Sequence, residues 1–338
     1  MMGPRFLRDT AARFLASRAA ASQGLRATSY DDWHPDLDEA LRTLPQVDIC
    51  PHELFRSLMK NPSPVPKRTI LVREGTEPVA LAGLRRRGNH WEPVTQWIVP
   101  GMLFPVKDGY IGRTLSALGL DVHVGWWRWD TPPPSLRWIR NLRSAPTFGM
   151  RCTDDFEKFW RSTGHFKRIS NTRNKCRDFE FRVDSPGVAE WTIRHWEARW
   201  RPLGAMEMPD LADRLLVAKY FQGLGLYHSL SLHQNGEIVA AATLLDHHST
   251  AVAQVNYRHP DFDRYAVMTR LIDLSFTWAR DSGFKMIDIG GSQDYKHHWA
   301  PPQDEKWEFR VCPDYLVLAQ RCTQLLQSAS DKLTRLLR

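Results

Sequence analysis

Asp288 stands in the apolar run Met286-Ile-Asp-Ile289, and two glycines, Gly290 and Gly291, follow at once. A carboxylate near a strand's end can take a proton or orient an acceptor. Glycines there let the backbone come close to a ligand. The competing reading is structural, with the carboxylate hydrogen-bonded to the glycine turn. Tyr295 and Lys296, a weak acid and a cation, come next. Upstream, Val267, Leu271, Leu274 and Trp278 recur at steps of four, three and four, one face of a helix over 266–281. The start of such a helix carries free backbone N–H groups, which bind anions and above all pyrophosphate. Tyr265, Ala266, Val267 and Met268 are the expected helix start, Met268 through its backbone only. Arg258 and Arg264 supply cations nearby, and Asn256 precedes them on the strand.

A second stretch, 163–177, is basic and amphipathic. Phe166, Ile169 and Cys176 fall on one face of a helix; His165, Arg168, Thr172 and Lys175 fall on another. Lys167, Arg168 and Arg173 could meet phosphates or an anionic acceptor, or they could form a solvated basic face. Core packing is the first explanation for the fourteen tryptophans, and an aromatic cleft for a sugar or acyl chain is the second. Trp160 is the tryptophan assigned to substrate on that second reading. His195 lies among Trp191, Trp196 and Trp200 and reads as a packed histidine rather than a base.

The elements that must position these groups follow from periodicity. Residues 251–258 alternate as a strand, and with 266–281 and 284–291 they spell a β-α-β unit, Gly283 closing the helix. Strands over 227–233 and 237–245 form a hairpin around Gln234-Asn-Gly236, so an antiparallel meander feeds that unit. Acidic residues 154–157 open a helix, and helices are expected over 191–201 and 211–223. In the first half, helices cover 37–44, 52–60 and 111–118, and strands cover 70–72, 79–82, 95–99 and 122–129. Arg85-Arg-Arg87 reads as a solvated strand end, and Pro132-Pro-Pro134 as a linker or rigid turn. Residues 1–28 are an arginine-rich tail, and 314–338 an amphipathic helix docked on the protein or touching a membrane surface.

The chain has 338 residues and a formal charge of +8, which favours anionic partners without marking a nucleic-acid binder. No run approaches the roughly 18 apolar residues of a membrane helix. Five cysteines without C-x-x-C spacing argue against a disulfide framework and a zinc site, and for a reducing compartment.

The order strand, Tyr257-x-x-x-x-Phe262, helix ending Trp278-Ala279-x-x-x-Gly283, strand Asp288-Ile-Gly-Gly291, then Tyr295-Lys296 resembles the C-terminal half of FemAB-like acyltransferases. More narrowly, it is similar to the GNAT group linked to cellulose and polysaccharide biosynthesis, the CelD/BcsL-like proteins. The resemblance covers residues 65–312. It implies an α/β (α+β) chain of two GNAT-like halves, each a mixed, largely antiparallel sheet flanked by helices. The halves would be 29–150, degenerate, and 151–313, active, between the tail 1–28 and the helix 314–338. It also implies acyl-CoA (acetyl-CoA) as co-substrate, no metal, and a small-molecule or saccharide acceptor, in a cytoplasmic protein that could contact a membrane peripherally. On that reading Asp288 is the base or acceptor-orienting carboxylate, Tyr295 the acid, and Lys296 an oxyanion or phosphate contact. Asn256, Arg258, Arg264 and residues 265–268 receive the cofactor, and Trp160, Lys167, Arg168 and Arg173 the substrate. The glycine-bearing loop usual in GNAT proteins is absent from Tyr257–Tyr265, a departure that FemAB-like members share. Three readings follow: an acyl-CoA-dependent N- or O-acyltransferase, an aminoacyl transfer from tRNA, and a non-catalytic GNAT-like scaffold.

Overall fold

The structure is a computed structural model that describes residues 20–21, 24–46, 50–96, 98, 104–128, 139–202, 211–291 and 293–312. The described residues divide into two compact units, one of those up to 143 together with 307–312, the other of those in 144–306. Residues 307–312 therefore cluster with the first unit, whereas the sequence resemblance puts them in a half running from 151 to 313. The linker at 132–134, the helix over 314–338 and most of the tail lie outside the described residues.

The first unit begins with β1 (Arg26–Tyr30), α1 (Pro35–Thr43) and α2 (His52–Lys60). There follow β2 (Lys67–Glu74), β3 (Glu77–Arg87), β4 (His90–Pro93), α3 (Ile111–Ala117) and β5 (Val122–Arg128). Strands β1 to β4 pair antiparallel in sequence order, and β5 joins β4 in parallel at Trp91↔Val122. Helix α2 buries Leu54, Phe55 and Leu58, spaced for one face. Gly83 makes that packing possible, since a Cβ there would come within 2.7 Å of Phe55 and Met59 side-chain atoms. Two expectations change in this unit. The strand expected over 95–99 is β4, further upstream, and Thr95 and Gln96 form a turn. Arg85 is not solvated: it is 1% exposed, its Nε donates to Glu92 Oε1 at 2.6 Å, and its Nη2 donates to the Gln96 carbonyl at 3.0 Å. A buried carboxylate of opposite charge holds this arginine inside, and composition alone does not reveal such a partner.

The second unit starts inside β6 (Ile139–Arg151) and continues with α4 (Phe156–Ser162), α5 (Phe166–Lys175), β7 (Glu180–Val183), α6 (Val188–Trp200) and α7 (Leu211–Gly223). Then come β8 (Tyr227–Gln234), β9 (Glu237–His247), β10 (Thr250–Arg258), α8 (Val267–Asp281), β11 (Met286–Gly291) and the start of β12 (Pro302–Val311). Its strands follow the order β6-β11-β10-β9-β8-β7. Among them β10 and β11 run parallel, as a strand-helix-strand crossover requires, and the rest pair antiparallel. The β8–β9 hairpin turns on Asn235 and Gly236, both at positive φ (52° and 83°), the geometry that Asn-Gly favours. The apolar stripe of α8, with Val267, Leu271, Phe276 and Ala279 buried, seals one face of the sheet.

Candidate functional site

Strands β10 and β11 are hydrogen-bonded neighbours for only three residue pairs, Thr250↔Met286, Ala251↔Ile287 and Val252↔Asp288. Beyond Val252, β10 runs on to Arg258 with a bulge against β9 between Ala253 and Asn256. Strand β11 meanwhile follows β6, pairing Gly290 with Phe148 and Gly291 with Thr147. The two parallel strands therefore part at their C-terminal ends. Bulges of this kind bend a strand and end its pairing. A cleft of about 570 Å³, lined in part by Asn256, Tyr257 and Arg258, lies at the end of β10.

The start of α8 forms another wall of this cleft, through Ala266, Met268, Thr269 and Ile272. Ala266 is left-handed (φ 56°), and no side chain caps the helix. The amides of Thr269 and Arg270 donate back to the Ala266 carbonyl at 2.9 and 3.3 Å. Val267 and Met268 thus carry the amides left for a ligand, in the positive field of the helix terminus. In place of a glycine loop, a 3₁₀ turn at Pro260–Tyr265 leads into the helix. Helix α5 grips it from behind: Lys175 Nζ donates to the Arg264 carbonyl at 3.2 Å, and Cys176 Sγ to the Tyr265 carbonyl at 3.4 Å. Arg258 is ion-paired with Asp263, and that hydrogen bond holds the Asp263 carboxyl below its ordinary pKa.

The cleft is cationic. Arg168 and Arg199 also line it, and among the described residues no carboxylate lies within ion-pair distance of either. Arg168 and Ala266 are shared with a second hollow of about 450 Å³, which Lys167, Asn171 and Lys175 complete.

Of the residues singled out from sequence, Asn256, Arg258, Ala266, Met268, Arg168 and Tyr295 line the main cleft, and Lys167 the second hollow. Val267 does not line the main cleft, its side chain being fully buried. Others belong elsewhere. Tyr265 packs on Phe179 and Phe262, and Arg264 donates to the Tyr265 hydroxyl at 3.0 Å, so neither side chain lines the cleft. Arg173 forks onto Asp273 at 3.0 and 2.7 Å and reaches Glu157 at 2.6 Å, a structural tie that raises its pKa. Trp160 is 1% exposed, stacked edge-on to Phe276 and Trp299, with its indole N–H on the Trp299 carbonyl at 3.0 Å. That is core packing, not a substrate wall. Asp288 is 2% exposed, and its Oδ1 accepts the Gly290 N–H at 2.6 Å. Its carboxylate holds the glycine turn, where Gly290 has φ 81°, and does not line the cleft. Lys296 turns its Nζ to the Gly291 carbonyl at 3.4 Å, and burial lowers its pKa to about 8.

Sequence reasoning missed His165, Arg199, Trp200 and His298, which the fold brings to the same cleft. His165 precedes α5 and is 8% exposed. Its ring stacks on His298 (centroids 5.5 Å apart, planes 8° apart) and meets Trp299 edge-on at 4.6 Å. Its Nε2 is buried without a hydrogen-bond partner. Burial, with the nearby charges of Arg168 and His298, lowers its pKa to about 4, so the imidazole is neutral at pH 7. The spacing of His165, Arg168 and Thr172 signalled a shared helix face, but not what that face meets.

Residues 164–297 match the family described as acetyltransferase (GNAT) domain. No curated protein matches the chain. Among solved structures, the C-terminal domain of a protein from Agrobacterium fabrum, described as a lysylphosphatidylglycerol synthetase, is similar at TM-score 0.50 and 14% identity, over 86% of this chain and 96% of that one. FemX is similar at TM-score 0.48 and 9% identity, over 87% and 99%. A tandem GNAT protein from the clavulanic acid pathway is similar at TM-score 0.47 and 10% identity, over 85% and 98%. Among the described residues no helix is long and apolar enough to cross a membrane. The chain has a GNAT-type fold, and within it residues 164–297 match the GNAT acetyltransferase domain.

Proposed function

We propose that the chain is an acyltransferase that moves an acyl group from acyl-CoA, acetyl-CoA in the simplest case, to an amine or hydroxyl of a saccharide or related small molecule. Polysaccharide or cell-envelope metabolism, on the cytoplasmic side and with peripheral membrane contact, is the setting that the CelD/BcsL-like resemblance suggests. One observation carries the reaction class: β10 and β11 part beside the uncapped start of α8. The amides of Val267 and Met268 would take the diphosphate, with Arg168 and Arg199 balancing its charge. The gap between the strands gives the acyl-pantetheine arm a path to the cleft. Tyr295, half-exposed in the cleft, would protonate the leaving thiolate. Acyl transfer from a thioester needs no metal, and none is proposed.

The test is a thermal-shift titration with CoA, followed by thiol release from acetyl-CoA. A ligand that binds only the native state raises the melting temperature with concentration. No shift at millimolar CoA would sink this reading, whereas a shift argues against a purely scaffolding role. A second reading, transfer from aminoacyl-tRNA, is favoured by the basic hollow of Lys167, Arg168 and Lys175 beside Ala266 and by the glycine-free entry to α8. It predicts tRNA binding that weakens steeply with salt, and loss of that binding in Lys167→Ala/Lys175→Ala.

A further inference from the structure

We propose that His165 Nε2 accepts the proton of the attacking amine or hydroxyl; this rests on the acyltransferase reading above. The side chain is more than nine-tenths buried, lines the cleft, and leaves Nε2 without a hydrogen-bond partner. A buried polar atom with no partner is costly and uncommon, and a substrate group entering the cleft would supply one. The ring is also fixed in place. The His165 amide donates to the Trp160 carbonyl at 2.8 Å, its own carbonyl accepts from Arg168 N at 3.1 Å, and His298 and Trp299 hold two sides of the imidazole. Proton transfer needs such a fixed, solvent-poor acceptor within reach of the nucleophile. Asp288, the other candidate, is tied to the glycine turn.

In the step, the acceptor's lone pair forms the bond to the thioester carbonyl carbon while its proton passes to Nε2. The C–S pair leaves on sulfur, and the thiolate takes a proton from Tyr295. The imidazolium then restores the phenol's proton through solvent, so the ring ends neutral. The charges facing His165 are Arg168 on its own helix and His298 from the turn after β11, with Arg199, Arg258, Asp263 and Tyr295 around the cleft. An anionic donor seated on Arg168 offsets the nearest cation, so the base strengthens once the donor is bound.

The experiment uses the full chain with acetyl-CoA, and with water and glucosamine as acceptors. Thiol release is measured in wild type, His165→Phe, which keeps a ring against Trp299, and His165→Gln, which keeps a hydrogen bond but cannot take the proton. CoA-induced thermal shift is measured alongside. The expected result is an unchanged CoA shift in all three, with kcat reduced at least a hundredfold in both variants and KM for acetyl-CoA unchanged. At saturating acetyl-CoA, wild-type release should also fall on the acid side, at a pH above the donor-free value of about 4. Wild-type rates in His165→Gln or His165→Phe would overturn the proposal, as would a wild type that CoA stabilises but that releases no thiol above the buffer rate. Absence of any CoA shift would instead overturn the acyl-CoA reading, and the proton acceptor with it.

Discussion

Glu92 in the first unit and His165 in the second are both buried, yet their polar atoms meet different fates. Glu92 accepts from Arg85 on one oxygen (2.6 Å) and from the Gln96 amide on the other (3.2 Å). His165 Nε2 has no partner and stands in the wall of an open cleft. In the first unit both oxygens of the buried carboxylate are answered from within the fold, although Nη1 of its partner Arg85 is not, and among the described residues it opens on no cleft lined by other cations. In the second, an uncapped helix start, an unanswered imidazole and three arginines face one hollow, where Asp263 is the carboxylate among the lining residues. The difference shows why a buried polar group is not evidence of function until its partners are counted.

The largest effect should come from breaking the first unit's pair. Arg85→Met leaves the Glu92 carboxylate buried without its main partner and should cost about 3–5 kcal/mol in chemical denaturation. If it costs less than about 1 kcal/mol, the contrast between the two units weakens. Next, Arg173→Ala removes one of the two arginines on Asp273 and should lower stability by about 1–3 kcal/mol. CoA affinity should hold; a large loss of affinity would return Arg173 to the ligand site. Asp288→Asn should cost roughly 1 kcal/mol by weakening a charge-assisted bond to the Gly290 amide. Thiol release should survive it, and abolished release in a folded variant would make Asp288 a functional group after all. The smallest effect is in pH dependence. The His165 pKa falls from 6.5 unfolded to about 4 folded. The unfolded chain therefore binds the extra proton between those values, and the His165 contribution to stability, complete above about pH 6.5, drains away as the pH falls to about 4. A stability–pH curve for His165→Phe should be flatter over that window than wild type.

The second unit was largely legible because its signals are local. Helix α7 and the Asn235-Gly236 hairpin follow from period and turn chemistry within a few residues. The start of α8 could be placed from its apolar spacing alone. Side-chain direction was not legible. Trp160, Arg173 and Asp288 have the right residue types for a site, but Trp299, Asp273 and the Gly290 amide claim them, and only the fold decides that. His165 could be put on a helix face but not in a site for the converse reason, since the rings that hold it come from residues far along the chain. The same holds for Arg85, whose solvated appearance in a basic run conceals a carboxylate across the β3–β4 ladder.

Lys175 and Cys176 fasten the carbonyls of Arg264 and Tyr265, while His165 and Arg168 sit at the opposite end of the same short helix. On the proposed reading, the proton-accepting wall and the seat for the carrier's phosphates are thereby riveted into one part. If that reading holds, any shift that opens room for a bulky acceptor carries the phosphate seat along, and tightness for the carrier and access for the acceptor are tuned together.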